Sequence, residues 1–135
     1  MPGYSATPLP KKLGIKPGFR VRFEHAPADV LEQLRAALAD CDQSKRTGEL
    51  DFAMFFPKSR AELEKHFSSL FKVLAPAGML WVSWPKRSSG VVSDLNENVV
   101  RQIGLGAGFV DVKVCAVTEI WSGLKFVRRV KDRKK

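Results

Sequence analysis

Between Phe19 and His25 the chain alternates, with Val21, Phe23 and His25 set against Arg20, Arg22 and Glu24. A period of two belongs to a strand buried on one face and wet on the other, so the pattern predicts an edge strand. Ala26-Pro27 ends it, and the rhythm then becomes helical. Asp29 is placed to cap, Glu32 stands at N3, and Val30, Leu31, Leu34 and Leu38 share one face as far as Asp40. After a charged loop ending Thr47-Gly48, Leu50 to Phe56 is apolar on both faces beyond Asp51, which predicts a buried parallel strand.

Pro57-Lys58-Ser59-Arg60 opens the next helix through an S-x-x-E capping box, Ser59 with Glu62, and Leu63, Phe67, Leu70, Phe71 and Leu74 form its apolar face. Pro76-Ala77-Gly78 is expected to stop this helix ahead of the strand Met79 to Trp84, which breaks at Pro85 into a basic, hydroxyl-rich loop. Asp94, with Glu97 at N3, predicts a third helix through Leu95, Val99 and Ile103, unwound by Gly104, Gly106 and Gly108. From Phe109 the period returns to two, with Val110, Val112, Val114 and Ala116 against Asp111, Lys113 and Cys115. Leu124 to Arg129 makes a second run, so Glu119 to Gly123 is expected to turn a terminal antiparallel hairpin.

Ahead of these elements, Thr7-Pro8-Leu9 to Leu13-Gly14 reads as a short helix that docks on the rest, with Leu9 and Leu13 on one face and Gly14 at C′. Strand, helix, strand, helix, strand, helix and hairpin is a βαβ series. It predicts an α/β, Rossmann-like layered fold, with helices packed on a mainly parallel sheet of about five strands. Residues 1–129 are expected to form one domain, with 1–18 as its docking segment, and 130–135 a basic, disordered tail.

Composition narrows the classes. With 135 residues, 44% of them apolar, the chain suits a single globular core. No apolar run reaches the roughly 20 residues that span a bilayer, and no leader pattern opens the chain, so a cytoplasmic protein without membrane contact is expected. Cys41 and Cys115 form no C-x-x-C or Cys/His pattern, so they are expected to be reduced packing residues, without zinc or any other cofactor. The net charge of +9 lies at the ends: residues 1–22 and 127–135 each contribute +5, and the body sums to −1. Such ends are consistent with solvated tails or with weak, non-specific nucleic-acid contacts.

Two resemblances follow from these residues. LDFAMFF at 50–56, LFKVLAPAG at 70–78, MLWVSW at 79–84, GAGFVDVKV at 106–114 and LKFVRR at 124–129 resemble the second half of class I S-adenosylmethionine-dependent methyltransferases, whose sheet also finishes with an antiparallel strand. The departure is Phe23-Glu24-His25-Ala26-Pro27, where those enzymes carry a glycine-rich loop, and the strands that follow it there have no counterpart here. Methyl transfer is therefore not expected. GYSATPLPKKLGIKPG at 3–18, SWPKRSSG at 83–90 and VDVKVCAVTEIWSGLKFVRR at 110–129 resemble a family of small bacterial proteins known as a domain of unknown function, which implies no activity and no site residues.

Candidate chemistry gathers where loops leave the parallel strands, because ligands of open α/β sheets seat outside the carboxyl ends of the strands, where helix N-termini also point. His25-Ala26-Pro27, Pro57-Lys58-Ser59-Arg60 and Pro85-Lys86-Arg87-Ser88-Ser89-Gly90 are the loops expected there. Lys86, Arg87, Ser88, Ser89, Gly90, Lys58, Ser59 and His25 are the expected anion-binding residues, offering hydroxyls, cations and free N–H groups to phosphate or carboxylate. The expected function is a non-catalytic binding module for such a small molecule, or for a protein partner. The alternatives are a degenerate methyltransferase-like enzyme using His25 and a nucleic-acid accessory protein acting through the basic ends.

No nucleophile is expected, since Ser88 and Ser89 lack a G-x-S-x-G elbow. Gly104-x-Gly106-x-Gly108 follows a helix rather than preceding one, so it predicts helix termination and close packing, not nucleotide binding. His66 is expected at the surface, and Trp81 and Trp84, three apart on a strand, on opposite faces. Trp121-Ser122-Gly123 reads as a turn.

Overall fold

A buried strand such as LDFAMFF needs cover on both faces, and the chain supplies it with helices on either side of one sheet. The structure, a computed structural model, describes residues 7–43 and 49–133, and of Phe71 only the backbone. The first residues of the docking segment, the loop end Thr47-Gly48, the place of Phe71 on its helix face, and Lys134 and Lys135 of the tail lie outside the described residues.

The strands are β1 (Val21–Glu24), β2 (Leu50–Phe55), β3 (Leu74–Pro85), β4 (Phe109–Ala116) and β5 (Trp121–Arg128). They make a five-stranded sheet in the order β1-β2-β3-β5-β4. β1, β2 and β3 run parallel, and β5 is antiparallel to both β3 and β4. The helices are α1 (Leu9–Leu13), α2 (Ala28–Leu38), α3 (Arg60–Val73) and α4 (Glu97–Gly106). This is the expected Rossmann-like α/β layering, with β1 and β4 as edge strands and the hairpin strand β5 inside the sheet.

Strand alternation divides the core in two. Phe52, Met54 and Trp81 face Leu9 and Leu13 of α1 and Val30, Leu34 and Leu38 of α2. Phe55, Leu80, Val82 and Trp84 face Leu63, Phe67 and Leu70 of α3 and Val100 of α4, with Phe109 and Phe126 closing that side. Trp81 and Trp84 thus lie on opposite faces, as their spacing predicts. Burial of one such large side chain contributes about 1.5–3 kcal/mol, so these two layers carry the fold. The short α1 is held by more than its leucines: the buried Trp81 indole N–H donates to the Leu13 carbonyl at 3.0 Å. Gly14 takes the left-handed C-cap at φ 84°.

Several local expectations change. Pro8, not Thr7, is the residue before α1, and Pro27, not Asp29, the residue before α2; neither makes a side-chain cap, and Asp29 falls in the first turn of α2. β1 is shorter than its alternation suggests, because His25 leaves the strand at φ 61° with its side chain exposed rather than facing the core. Pro76-Ala77-Gly78 does not separate α3 from the next strand; β3 begins at Leu74 and runs through it, with an irregular register against β2 between Leu50 and Phe52.

α4 begins at Glu97 and continues through Gly104 and Gly106, and Gly108 at φ 97° follows its end. Trp121-Ser122-Gly123 is not a turn but the start of β5, because its pairing with Ser83 to Pro85 of β3 extends the strand. A register shift between Asp111 and Lys113 bulges Val112, so Val112 and Val114 are exposed instead of facing inward. His66 is partly buried, with its ring 5.4 Å from that of Phe55. The segment expected to be a disordered tail opens with a 3-10 turn at Val130–Asp132.

Candidate functional site

The three loops meet at the carboxyl ends of β1, β2 and β3, and two carboxylates tie them together. At the start of α3 the capping box forms: Ser59 Oγ accepts the Glu62 N–H at 3.1 Å, and Glu62 reaches back to accept the Lys58 N–H at 2.6 Å. The same Glu62 carboxylate stands 3.7 Å from His25 Nε2, which brings the loop after β1 to the loop after β2. Asp94, from the loop after β3, accepts the Arg60 N–H at 2.8 Å and so joins the third loop to the same helix start. Sequence spacing assigns Asp94 to the helix that follows it; instead Asn96 caps α4, accepting the Val99 N–H at 2.9 Å. Asp94 is free to turn back to α3 because Asn96 takes that role.

The N–H groups of Lys58, Arg60 and Glu62, where a bound anion was expected, therefore already donate to the protein's own oxygens, and two of the acceptors are carboxylates. The positive end of α3 is satisfied from within. His25, Lys58 and Ser59 are brought together around Glu62, at the rim of the edge.

The loop after β3 borders an open cleft. Arg87–Ser89 forms one 3-10 turn, closed by Gly90 at φ 80°, where a left-handed backbone favours glycine. Ser89 Oγ donates to the Lys86 carbonyl at 2.6 Å and accepts the Val91 N–H at 3.2 Å, so this hydroxyl shapes the loop. Beyond it lies a cleft of about 370 Å³, walled by Trp84, Pro85, Arg87, Asp94 and Asn96 among others. Of the expected anion-binding residues, Arg87 and Gly90 line this cleft, whereas Lys86, Ser88, Ser89, His25, Lys58 and Ser59 do not. Arg87 and Asp94 give it both signs of charge.

Sequence reasoning missed part of this edge. Because β5 lies beside β3, the β4–β5 connection also arrives there, and the Ile120 carbonyl accepts the Lys86 N–H at 2.7 Å. Trp121 packs edge-on against Phe56, just past the end of β2, with ring centroids 5.2 Å apart. Nothing in the order of residues foretells that neighbour, since it depends on strand order. The bond from the Glu62 N–H to Ser59 was legible in the capping box, whereas Glu62 reaches one residue further back than the box predicts, to Lys58, and the Asp94 contact was not legible. Ser83, beside Trp84 on β3, is fully buried, and its hydroxyl has no partner among the described residues.

No family model matches the chain, and no curated protein matches it. Its fold is similar to solved methyltransferases. A magnesium protoporphyrin IX methyltransferase from Synechocystis with bound SAM is 15% identical with a TM-score of 0.57, covering 90% of this chain and 74% of that one. A ribosomal protein L11 methylase from Lactobacillus delbrueckii subsp. bulgaricus is 14% identical with a TM-score of 0.58, covering 90% and 75%. A SAM-dependent methyltransferase from Aquifex aeolicus is 13% identical with a TM-score of 0.55, covering 86% and 85%. At these identities the likeness establishes the layered fold. Among the described residues no helix is long and apolar enough to cross a membrane.

Proposed function

We propose that this protein, built on the sheet that methyltransferases share, binds a small molecule bearing a carboxylate or phosphate group in the cleft beyond β3. The observation that carries the reading is the position of that cleft: about 370 Å³ of open volume at the carboxyl end of the central parallel strand, with Arg87 in its wall and the start of α4 beside it. Ligands of open α/β sheets seat at this edge. Arg87 supplies a planar donor fork for a bidentate oxyanion. Asp94, held by the Arg60 N–H, selects against a second negative charge close to it.

Methyl transfer is the second reading, and the fold comparisons favour it over a purely non-catalytic module, since the similar structures are methyltransferases and one carries bound SAM. The residues at the edge do not fit that cofactor well. The turn after β1 is His25-Ala26-Pro27, without glycine, and Pro27 has no N–H to offer at the start of α2. β1 is also an edge strand, and the sequence leaves only residues 39–49 between α2 and β2, fewer than further strands and helices beyond β1 would need.

Calorimetric titration of the full chain separates the readings. S-adenosylmethionine and S-adenosylhomocysteine form one arm, and a panel of phosphate- and carboxylate-bearing metabolites the other, each repeated with Arg87→Ala. Saturable binding of a panel member that Arg87→Ala abolishes supports the cleft. Saturable binding of the sulfonium compound, untouched by Arg87→Ala, replaces the first reading with the second. Silence in both arms overturns both.

A further inference from the structure

On the α1 side of the sheet, Lys113 of β4 and Lys125 of β5 are register partners, in the same row as Trp81 of β3. Because the Trp81 indole reaches the Leu13 carbonyl, that row runs beneath the end of α1. From the helix, the Lys12 ammonium donates to the Ala116 carbonyl of β4 at 2.7 Å, and the Lys113 ammonium donates in return to the Lys12 carbonyl at 3.1 Å. Lys16, just past α1, adds its charge to the same place.

Like charges directly opposite each other on neighbouring strands are destabilising, and this pair is not relieved by carboxylates. None of the ion pairs among the described residues includes Lys16, Lys113 or Lys125. Lys125 is partly buried, and burial first, then Lys113 and Lys16, disfavour its charged form. The neighbouring Cys115 thiol is pushed up by burial, while Lys12 and Lys113 act in the opposite direction, which places those two cations around it as well.

We propose that this lysine cluster, Lys12, Lys16, Lys113 and Lys125, is a binding site for a compact oligophosphate. Several ammonium groups converging from a helix, a loop and two strands match an anion that carries several charges in a short span. Ammonium groups are point charges that suit phosphate oxygens without selecting a planar partner. Among the described residues the ring in this row, Trp81, is wholly buried and offers no face on which a nucleobase stacks, so a bare phosphate chain fits the cluster better than single-stranded nucleic acid. The site shares no residue with the cleft beyond β3.

The test is titration of the full chain with tripolyphosphate, against sulfate at matched ionic strength. Saturable binding is expected for tripolyphosphate, weakened about tenfold by Lys125→Ala and by Lys113→Ala, the loss of one charge-assisted hydrogen bond each. Lys16→Ala, at an exposed position outside the helix, tests the cluster without disturbing the sheet, and Lys125→Arg should retain most of the binding. Arg87→Ala should leave it unchanged, which separates this site from the proposed cleft. Absence of saturable binding, or binding that survives Lys16→Ala, Lys113→Ala and Lys125→Ala alike, overturns the proposal. So does loss of binding in Arg87→Ala, or tighter binding of oligodeoxythymidylate through the same lysines, which would make the face a nucleic-acid surface instead.

Discussion

Replacing Gly104 by alanine sets two physical effects against each other with opposite signs. In an exposed helix interior the change adds about 1 kcal/mol of stability, because alanine loses less backbone freedom on folding. In this structure a Cβ at Gly104 would lie 2.1 Å from Phe126 Cε1, 2.4 Å from Cζ and 2.8 Å from Cδ1. Carbon atoms at optimal contact are about 3.5–4.0 Å apart, so helix and ring must separate by more than an ångström. Phe126 has no room to retreat: it is 0% exposed, and the rings of Phe67 and Phe109 stand 5.7 and 6.3 Å away. Overpacking of this kind costs about 1–3 kcal/mol and can exceed that, so the propensity gain is outweighed and net destabilisation of about 1–2 kcal/mol is expected.

Gly106 supplies the control on the same helix, since a Cβ there meets nothing within 4 Å. Gly106→Ala should therefore be neutral or stabilising by up to about 1 kcal/mol. Urea denaturation followed by fluorescence of the buried Trp81 and Trp84 reads both, with an unchanged m-value expected. Phe126→Leu combined with Gly104→Ala should recover part of the loss as a coupling of about 1 kcal/mol. A Gly104→Ala protein as stable as the parent would refute the close approach of α4 to β5.

Asp94→Ala should destabilise the protein by about 1 kcal/mol through loss of the Arg60 cap, and hydrogen exchange at the Arg60 amide should accelerate while that of Val99 does not. Ser83→Ala should be neutral or stabilising in thermal denaturation, because it removes a buried hydroxyl without a partner; a loss above about 1 kcal/mol would mean that the hydroxyl has one. Arg101 hydrogen-bonds Asp111 at 2.8 Å and holds its carboxyl below the usual range. A carboxylate depressed in the folded state contributes stability above its unfolded pKa and loses it as pH falls through the folded value. With Asp111 33% exposed, Asp111→Asn should cost only about 0.5–1 kcal/mol at neutral pH. The gap to the parent should close on acidification below about pH 4, and a gap that persists there would point to packing rather than charge.

The fold class was legible because its signals are local. Alternation at Val21 and Phe23, the doubly apolar Leu50 to Phe56, and the Ser59–Glu62 box each specify an element from a few neighbouring residues, and each is present in the structure. The candidate site was legible only in outline. Its loops fall where a βαβ series must place them, but their contacts depend on pairs far apart in the chain. Asp94 looks like the cap of the helix after it, and only tertiary contact turns it back to Arg60.

By itself the sequence determined the order of the main elements and the face that β2 and β3 turn to each side, because side-chain period follows from backbone geometry alone, whereas the bulge in β4 and the start of β5 depended on strand pairing. The tertiary structure decided which strands are neighbours. Inserting β5 between β3 and β4 brought Ile120 and Trp121 to the edge, set Lys113 opposite Lys125 and pressed Phe126 against Gly104. Strand order is chosen by the packing of two whole layers, and no short stretch of residues encodes it.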